Sequence, residues 1–357
     1  MKRILSGFGL VVLVVLALLF AFRTTLVRGL LDRIVATNMQ GSLLDDLPDG
    51  LHVVLCGAGS PLADPKRSGP CTAVVAGGRL FVVDAGSGAS RVMSRMRLPQ
   101  GEIDAILLTH FHSDHIDGLG ELLLQRWANS GATTPVPLHG PEGVGEVVEG
   151  LDRAYRQSRA YRVAHHGEAV VPSGGAGATA LPFRAPRDGE EVVVVDDAGL
   201  RVVAFRVDHA PVEPAVGYRF DYGGRSVLLS GDTTKSANLQ RFAGDVDLLV
   251  HEALSRDLVS VLGRGARAAG RERLAKIIDD IQDYHASPVE AAEVARDAGV
   301  GHLLFNHIVP PLPIAPLEDL FLEGVSDVYQ GPVTLGRDGT LVILEAGGAE
   351  VEVRELL

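Results

Sequence analysis

The amino-acid sequence predicts an α/β domain, and three observations predict it. Short aliphatic runs such as Leu80 to Val83, Ile103 to Leu108 and Leu200 to Val207 recur along the chain and read as buried strands. Helical apolar spacing marks Leu119 to Trp127 and Arg271 to Tyr284, and Ser287 with Glu290 and Pro288 forms a capping box that opens a helix to about Ala298. Between one such strand and one such helix lies Thr109-His110-Phe111-His112-Ser113-Asp114-His115-Ile116-Asp117-Gly118, a loop held by a rigid element on each side.

His110, His112 and His115 with Asp114 are a mixed nitrogen and oxygen donor set, which zinc, iron or manganese accept and calcium does not. His110 and His112 stand two apart and point the same way in an extended segment; Asp114 and His115 fall where the chain turns and reach a second position. One loop can therefore feed two metals. This His-x-His-x-Asp-His pattern resembles the signature of the metallo-β-lactamase superfamily. The resemblance implies a four-layered αβ/βα sandwich, α/β (α+β) in class, with metals at one edge and with a His, a bridging Asp and a last His still to come.

From the N-terminus, Lys2 and Arg3 precede the uncharged run Ile4 to Phe22, whose helical length of about 28 Å is enough to cross a hydrocarbon core. Phe20-Ala21-Phe22-Arg23 offers no clear small-x-small cleavage site, which favours an uncleaved anchor over a cleaved signal. The organisation expected is residues 1–25 as membrane anchor or signal, 26–50 as an amphipathic connector and 51–357 as the hydrolase domain. The catalytic domain is expected outside the cytoplasm, on the periplasmic side.

Net charge is −12 and the sequence pI is near 5.4. That balance, with no Lys/Arg run, disfavours a nucleic-acid partner. Cys56 and Cys71 close and open two apparent strands, Leu51 to Leu55 and Thr72 to Ala76, and are either a disulfide or two buried thiols. Asp84 ends the strand Leu80 to Val83; it reads as a turn acid, or, by the resemblance, as the carboxylate that orients the metal loop.

Gly118 to Glu190 is less regular, with a turn at Gly140-Pro141-Glu142-Gly143 after the short strand Val136 to His139, a pair His165-His166, and a Gly/Ala-rich loop from Ser173 to Ala180. Beyond it, Asp208-His209-Ala210-Pro211 follows a strand and leads to Val216-Gly217-Tyr218-Arg219-Phe220, which resembles the ribonuclease Z branch of the superfamily. Ser226 to Leu229 then leads to Ser230-Gly231-Asp232-Thr233, Asp247 to Val250 to His251-Glu252-Ala253, and Gly301 to Phe305 to Asn306-His307. Val333 to Leu335 and Leu341 to Leu344 read as a hairpin about Arg337-Asp338-Gly339.

The resemblance implies that His110, His112 and His209 hold one metal, that Asp114, His115 and His307 hold another, and that Asp232 bridges them. It implies two zinc ions per chain, because His112 stands where di-iron members carry Glu. Their shared hydroxide, at a pKa of about 7, attacks an ester, with Asp114, Asp232 and His251 in catalytic roles and His251 as proton donor. Asp84, Glu252 and His285 are expected around the ligands. The expected substrate is a small molecule, a phosphodiester or a sulfate ester as in arylsulfatases of this pattern, with a lactone or carboxylic ester as an alternative; a homodimer is compatible with it. A ribonuclease Z-like tRNA 3′ endonuclease is the second reading, because that enzyme type carries an RNA-binding arm between the third-motif His and the bridging Asp, and here only Ala210 to Gly231 is available. A metal-binding module without turnover is the third.

Overall fold

Two sheets face each other in the computed structural model, which describes residues 15–39 and 41–357. The first contains β1 (Leu51–Gly57), β2 (Cys71–Ala76), β3 (Arg79–Val83), β4 (Ile103–Leu107), β5 (Val136–Pro141) and β6 (Ala178–Phe183). The second contains β7 (Glu191–Asp197), β8 (Leu200–Arg206), β9 (Val216–Tyr222), β10 (Arg225–Leu229), β11 (Leu248–Leu254), β12 (His302–Val309) and β13 (Val333–Leu335). The chain then returns to the first sheet as β14 (Thr340–Ile343) and β15 (Glu352–Glu355), giving the orders β15-β14-β1-β2-β3-β4-β5-β6 and β13-β12-β11-β10-β9-β8-β7.

The layers follow from side-chain alternation. Leu51, Val53 and Leu55 of β1 and Phe81 of β3 meet Val202, Tyr218, Phe220 and Val227 between the sheets. The alternate set, including Val54, Val82 and Ile106, packs outward against the helices Ala89–Arg95 and Leu119–Ser130. Leu228, Leu249, Leu303 and Phe305 pack outward from the second sheet against Ala291, Ala295 and Phe321. Strands buried on both faces must read as continuous aliphatic runs, which is why they were visible in the sequence.

Parallel pairing β3-β4-β5-β6 and β10-β11-β12 sets the carboxyl ends of these strands along one edge. Loops that follow them converge there, as ligand-carrying loops do in open parallel sheets. Close approach tightens this edge: a Cβ on Gly118 would lie 2.1 Å from the Gly86 carbonyl oxygen, and one on Gly86 would lie 2.4 Å from that of Asp114. Only glycine lets the metal loop and the turn after β3 lie this close.

Several expectations change. Val333–Leu335 and Thr340–Ile343 are not a hairpin but belong to different sheets, β13 on β12 and β14 on β1. Asp338 between them accepts hydrogen bonds from the amides of Ala58 and Ser68 at 3.0 and 2.9 Å, fixing the crossing. The irregular segment after Gly143 is a long helix, Val144–His166, of which only Val144 and Val148 are buried. So short an apolar face leaves almost no periodic signal. Arg256–Ala268 is a further helix, and Arg271 to Tyr284 shortens to Glu272–Asp280 with a 3-10 turn at Ile281–Asp283.

The expected membrane-spanning helix finds no support among the described residues. Most of Ile4 to Phe22 lies outside the described residues, and among the described residues no helix is long and apolar enough to cross a membrane. Arg23–Asn38, which runs into the connector, is a helix exposed over 23–36, and Leu43 inserts into the core beside the first sheet.

Cys56 and Cys71 are joined in a disulfide between β1 and β2 across a sequence separation of 15. A loop of that length constrains the unfolded chain by about 3 kcal/mol. Urea unfolding with and without a reductant is expected to differ by about that amount; two free thiols in the denatured, non-reduced protein would sink the pairing.

Candidate metal centre

Each candidate donor comes from a loop or strand end at the shared edge. His110 and His112 leave β4, Asp114 and His115 begin the short helix Ser113–Ile116, His209 follows β8, Asp232 follows β10 and His307 lies in β12. His307 and Asp84 are non-glycine residues with positive φ, 42° and 58°. Such backbone is costly and persists where the surroundings impose it, which is common at functional sites.

Donor atoms of His110, His112, His209 and Asp232 all lie within 4.8 Å of one another, and so do those of Asp114, His115 and His307. The Asp232 carboxylate lies between the groups: its Oδ2 is 3.8 Å from Nε2 of both His110 and His209 and 3.3 Å from Nε2 of both His115 and His307. Six of the seven sequence candidates are buried and the other, His112, is half-buried.

The surrounding hydrogen bonds fix which ring nitrogens face inward. Nδ1 of His115 donates to Asp84 at 2.8 Å, and the hydroxyl of Thr109 donates to Asp84 at 2.8 Å while lying 3.0 Å from Nδ1 of His110. Nδ1 of His209 donates to the Tyr284 carbonyl at 2.9 Å. The Nε2 atoms of His110, His115 and His209 are thereby turned towards Asp232, the usual device by which a second layer orients ligating imidazoles. Nε2 of His110 is 3.0 Å from Nδ1 of His112, which is itself 3.4 Å from Nε2 of His209. Lone pairs that converge in this way need a cation or a proton between them.

Charge is divided unevenly. Burial, helped by repulsion from His115, pushes His110 well below its usual range, and burial also lowers His112 and His209. These three rings are neutral and ready to ligate. Burial opposes charge on His115 too, yet Asp232 and Asp84 raise it well above its usual range; His307, opposed by burial but facing Asp232 and Asp114, is raised to about 9. Buried atoms without a hydrogen-bond partner include Nε2 of His115, Oδ1 of Asp232 and Nδ1 of His307. The donor set fits bound metal cations: three carboxylates, Asp84, Asp114 and Asp232, call for positive charge, and inward donor atoms converge where it would sit.

Glu252 and His285 form the adjoining wall. Oε1 of Glu252 accepts from Nδ1 of His285 at 3.0 Å and from the amides of Ala286 and Thr233 at 3.1 and 3.2 Å. His285, Asp232 and His307 each offer one donor atom within 4.8 Å of the others. His251 lies apart from both donor groups; it is fully buried in β11, and its Nδ1 donates to the Glu252 carbonyl at 2.6 Å. Arg219 pairs with Asp221 and donates to the Phe242 carbonyl, and His165 and His166 lie exposed at a helix end. A cavity of about 420 Å³, lined by Ser60, Leu62, Arg67, Ser113 and Asp114, opens beside the donors.

Residues 79–308 match the family model of the beta-lactamase superfamily domain. The chain is 38% identical over 290 residues to a ribonuclease Z of Mycobacterium avium, covering 81% of this chain and 96% of the relative, and 39% identical over 267 residues to one of Mycolicibacterium gilvum, covering 73% and 85%. Among solved structures, the short form of human tRNase Z superposes with a TM-score of 0.58 at 20% identity, over 83% of this chain and 100% of that one. The metallo-beta-lactamase fold protein YhfI of Bacillus subtilis gives 0.57 at 18%, over 82% and 99%. Similarity to ribonuclease Z proteins, which are named for acting on RNA, overturns the expectation that nucleic acid is disfavoured. The same similarity also overturns the expected membrane-anchored, periplasmic placement. These relatives are ribonucleases, and arylsulfatase chemistry finds no support in them.

Two protonated rings must lose their protons to ligate, so binding of Zn²⁺ to the metal-free protein at pH 7 is expected to release protons, read with a pH indicator. The sign is set by raised values: affinity is expected to climb as pH rises towards about 9, the value for His307. Proton-neutral binding across that range would refute this charge arrangement.

Proposed function

The chain belongs to the metallo-β-lactamase superfamily, with ribonuclease Z proteins as homologues, and on that premise we propose that it is a metal-dependent phosphodiesterase that cleaves RNA at the 3′ end of a tRNA precursor. One observation carries the reading: 38% identity to ribonuclease Z extends over 96% of the relative's length. Consistent with it, the superfamily match at residues 79–308 contains every donor from Asp84 to His307. The small ester expected from the sequence gives way to a phosphodiester in RNA.

In this reading His110, His112 and His209 would hold one cation, Asp114, His115 and His307 a second, and Asp232 would bridge the two; zinc suits the donor set. Metals bound there would supply Lewis acidity towards a phosphoryl oxygen and would lower the pKa of water. The chain's own residues do the rest. Asp84 holds His115 directly and His110 through Thr109, so one carboxylate orients a donor of each group.

Attack of water on phosphorus breaks a P–O bond, and the departing oxygen needs a proton. His285 is the donor we assign, because Glu252 holds its Nδ1 and a ring nitrogen of His285 lies within 4.8 Å of donor atoms of Asp232 and His307. The role expected of His251 passes to it. His251 spends its Nδ1 proton on a backbone carbonyl and supports β11 from within.

With a precursor tRNA as substrate, Asp232→Ala is expected to abolish cleavage and lower bound zinc. His285→Ala should keep its metal and lose about 10²- to 10⁴-fold in kcat, the range of a general acid, while His251→Ala should lose stability first. Turnover of an aryl phosphodiester by the metal-loaded protein, with the tRNA left intact, would overturn the RNA reading.

A further inference from the structure

Between β11 and His285 the chain leaves the body as a helical hairpin. Ser255 caps the first helix, Arg256–Ala268, by accepting from the Leu258 amide; Gly270, at φ +69°, makes the turn; Glu272–Asp280 returns. The helices approach closely because small residues face inward: a Cβ on Gly263 would lie 3.3 Å from both the Ile278 and the Asp279 side chains, and Ala266 and Ala275 are buried beside it. At the foot, Val259 and Ile278 share a small cluster with Leu62, Leu254 and Val309 of the body.

Both ends of the hairpin stand at the metal edge. Arg256 donates to the carbonyls of Gln282 and His285 at 3.2 and 3.1 Å, and Tyr284 supplies the carbonyl that holds His209. The helices, of 13 and 9 residues, are about 20 and 14 Å long.

The tip has a charge of its own. Gly263 to Leu274 contains Arg264, Arg267, Arg271 and Arg273 against Glu272 alone, in a protein whose net charge is −12. All four arginines are exposed. Arg267 pairs with Asp279 at 2.7 Å; for Arg264, Arg271 and Arg273 no carboxylate lies within salt-bridge distance among the described residues. Unpaired guanidinium groups on a projecting tip suit the phosphates of a nucleic acid, whose binding they drive through counterion release. An acidic body that repels the same polyanion leaves the tip as the favoured point of contact.

We propose that the hairpin Arg256–Asp280 is an RNA-docking arm, whose tip arginines grip the phosphate backbone of the substrate while the segment that follows it, Tyr284 and His285, receives the scissile bond at the metal edge. The proposal rests on the RNA reading above. It assigns to the hairpin the binding of the body of the RNA and leaves the bond-breaking step unchanged.

The test compares the full-length zinc-loaded protein with Arg264→Ala/Arg271→Ala/Arg273→Ala and with the triple Lys variant. Precursor tRNA binding is read by anisotropy over a salt series, cleavage by gel and an aryl phosphodiester by absorbance, with thermal unfolding as a check on folding. In the Ala variant, tRNA affinity is expected to fall at least about 10-fold and the slope of log K against log salt to drop by about 2 to 3. Aryl phosphodiester turnover should stay unchanged, and the Lys variant should recover much of the affinity. Equal tRNA binding and cleavage by wild type and Ala variant would overturn the arm and leave the RNA reading standing. Equal losses on both substrates would make the hairpin structural and overturn it too. A wild-type protein that neither binds nor cleaves tRNA would overturn both.

Discussion

The Asp232 carboxylate is the constraint on which the rest of the site depends. It is nearly sealed from water, with Oδ2 within 4 Å of four imidazoles and Oδ1 without a partner. Leaving an ionised carboxylate in such a place costs several kcal/mol unless positive charge faces it. Raised His115 and His307 supply that charge as protons, and metal cations would supply it in their place. A residue that must meet two groups of donors at once can stand only where the sheets meet at their edge, and the loop after β10, with Gly231 at φ +60°, brings it there.

Around this carboxylate the protein spends buried polar groups on orientation rather than on stability. Asp84 and Glu252 are both nearly fully buried; each accepts from a site histidine, and from backbone amides, one for Asp84 and two for Glu252. Their effect is to settle tautomers: rings that hydrogen-bond outward through Nδ1 present Nε2 inward. Tyr218 adds a mechanical tie, since its hydroxyl donates to the Leu108 carbonyl at 2.7 Å and links the second sheet to the strand that feeds the metal loop. The two halves of the sandwich are registered against each other through the site itself.

Most of the fold core was legible because strands buried on both faces must be aliphatic throughout; His110, His112, Asp114 and His115 stood out by their distinctive spacing on one loop, whereas His209, Asp232 and His307, each after a different strand, were named only through the family resemblance. What escaped detection has physical causes. Helix Val144–His166 buries little beyond its first turns, so its sequence carries no apolar period. Val333 to Leu344 reads locally as strand, turn, strand, and only the distant amides of Ala58 and Ser68 on Asp338 reveal that the strands part company. From sequence His251 is the expected proton donor and His285 only a neighbour of the ligands; what separates them is which carbonyl or carboxylate takes the Nδ1 proton, a contact across the fold from Glu252 to His285.

Substrate choice is governed elsewhere in the molecule. A donor set of this kind stabilises charge on a phosphoryl group whatever is attached to it, so the centre fixes the bond and the periphery fixes the molecule. The span from Ala210 to Gly231 is filled chiefly by β9 and β10, both part of the second sheet, and leaves no projecting element there. Instead the projection arises one strand later, after β11, and it is tied to the site at both ends by Arg256 and Tyr284. An acidic protein can act on a polyanion if its positive charge is gathered on such an element, because attraction at the tip is local while repulsion from the body is screened over about 8 to 10 Å in physiological salt. Net charge therefore argued against a nucleic-acid substrate only while the charges were counted without their positions.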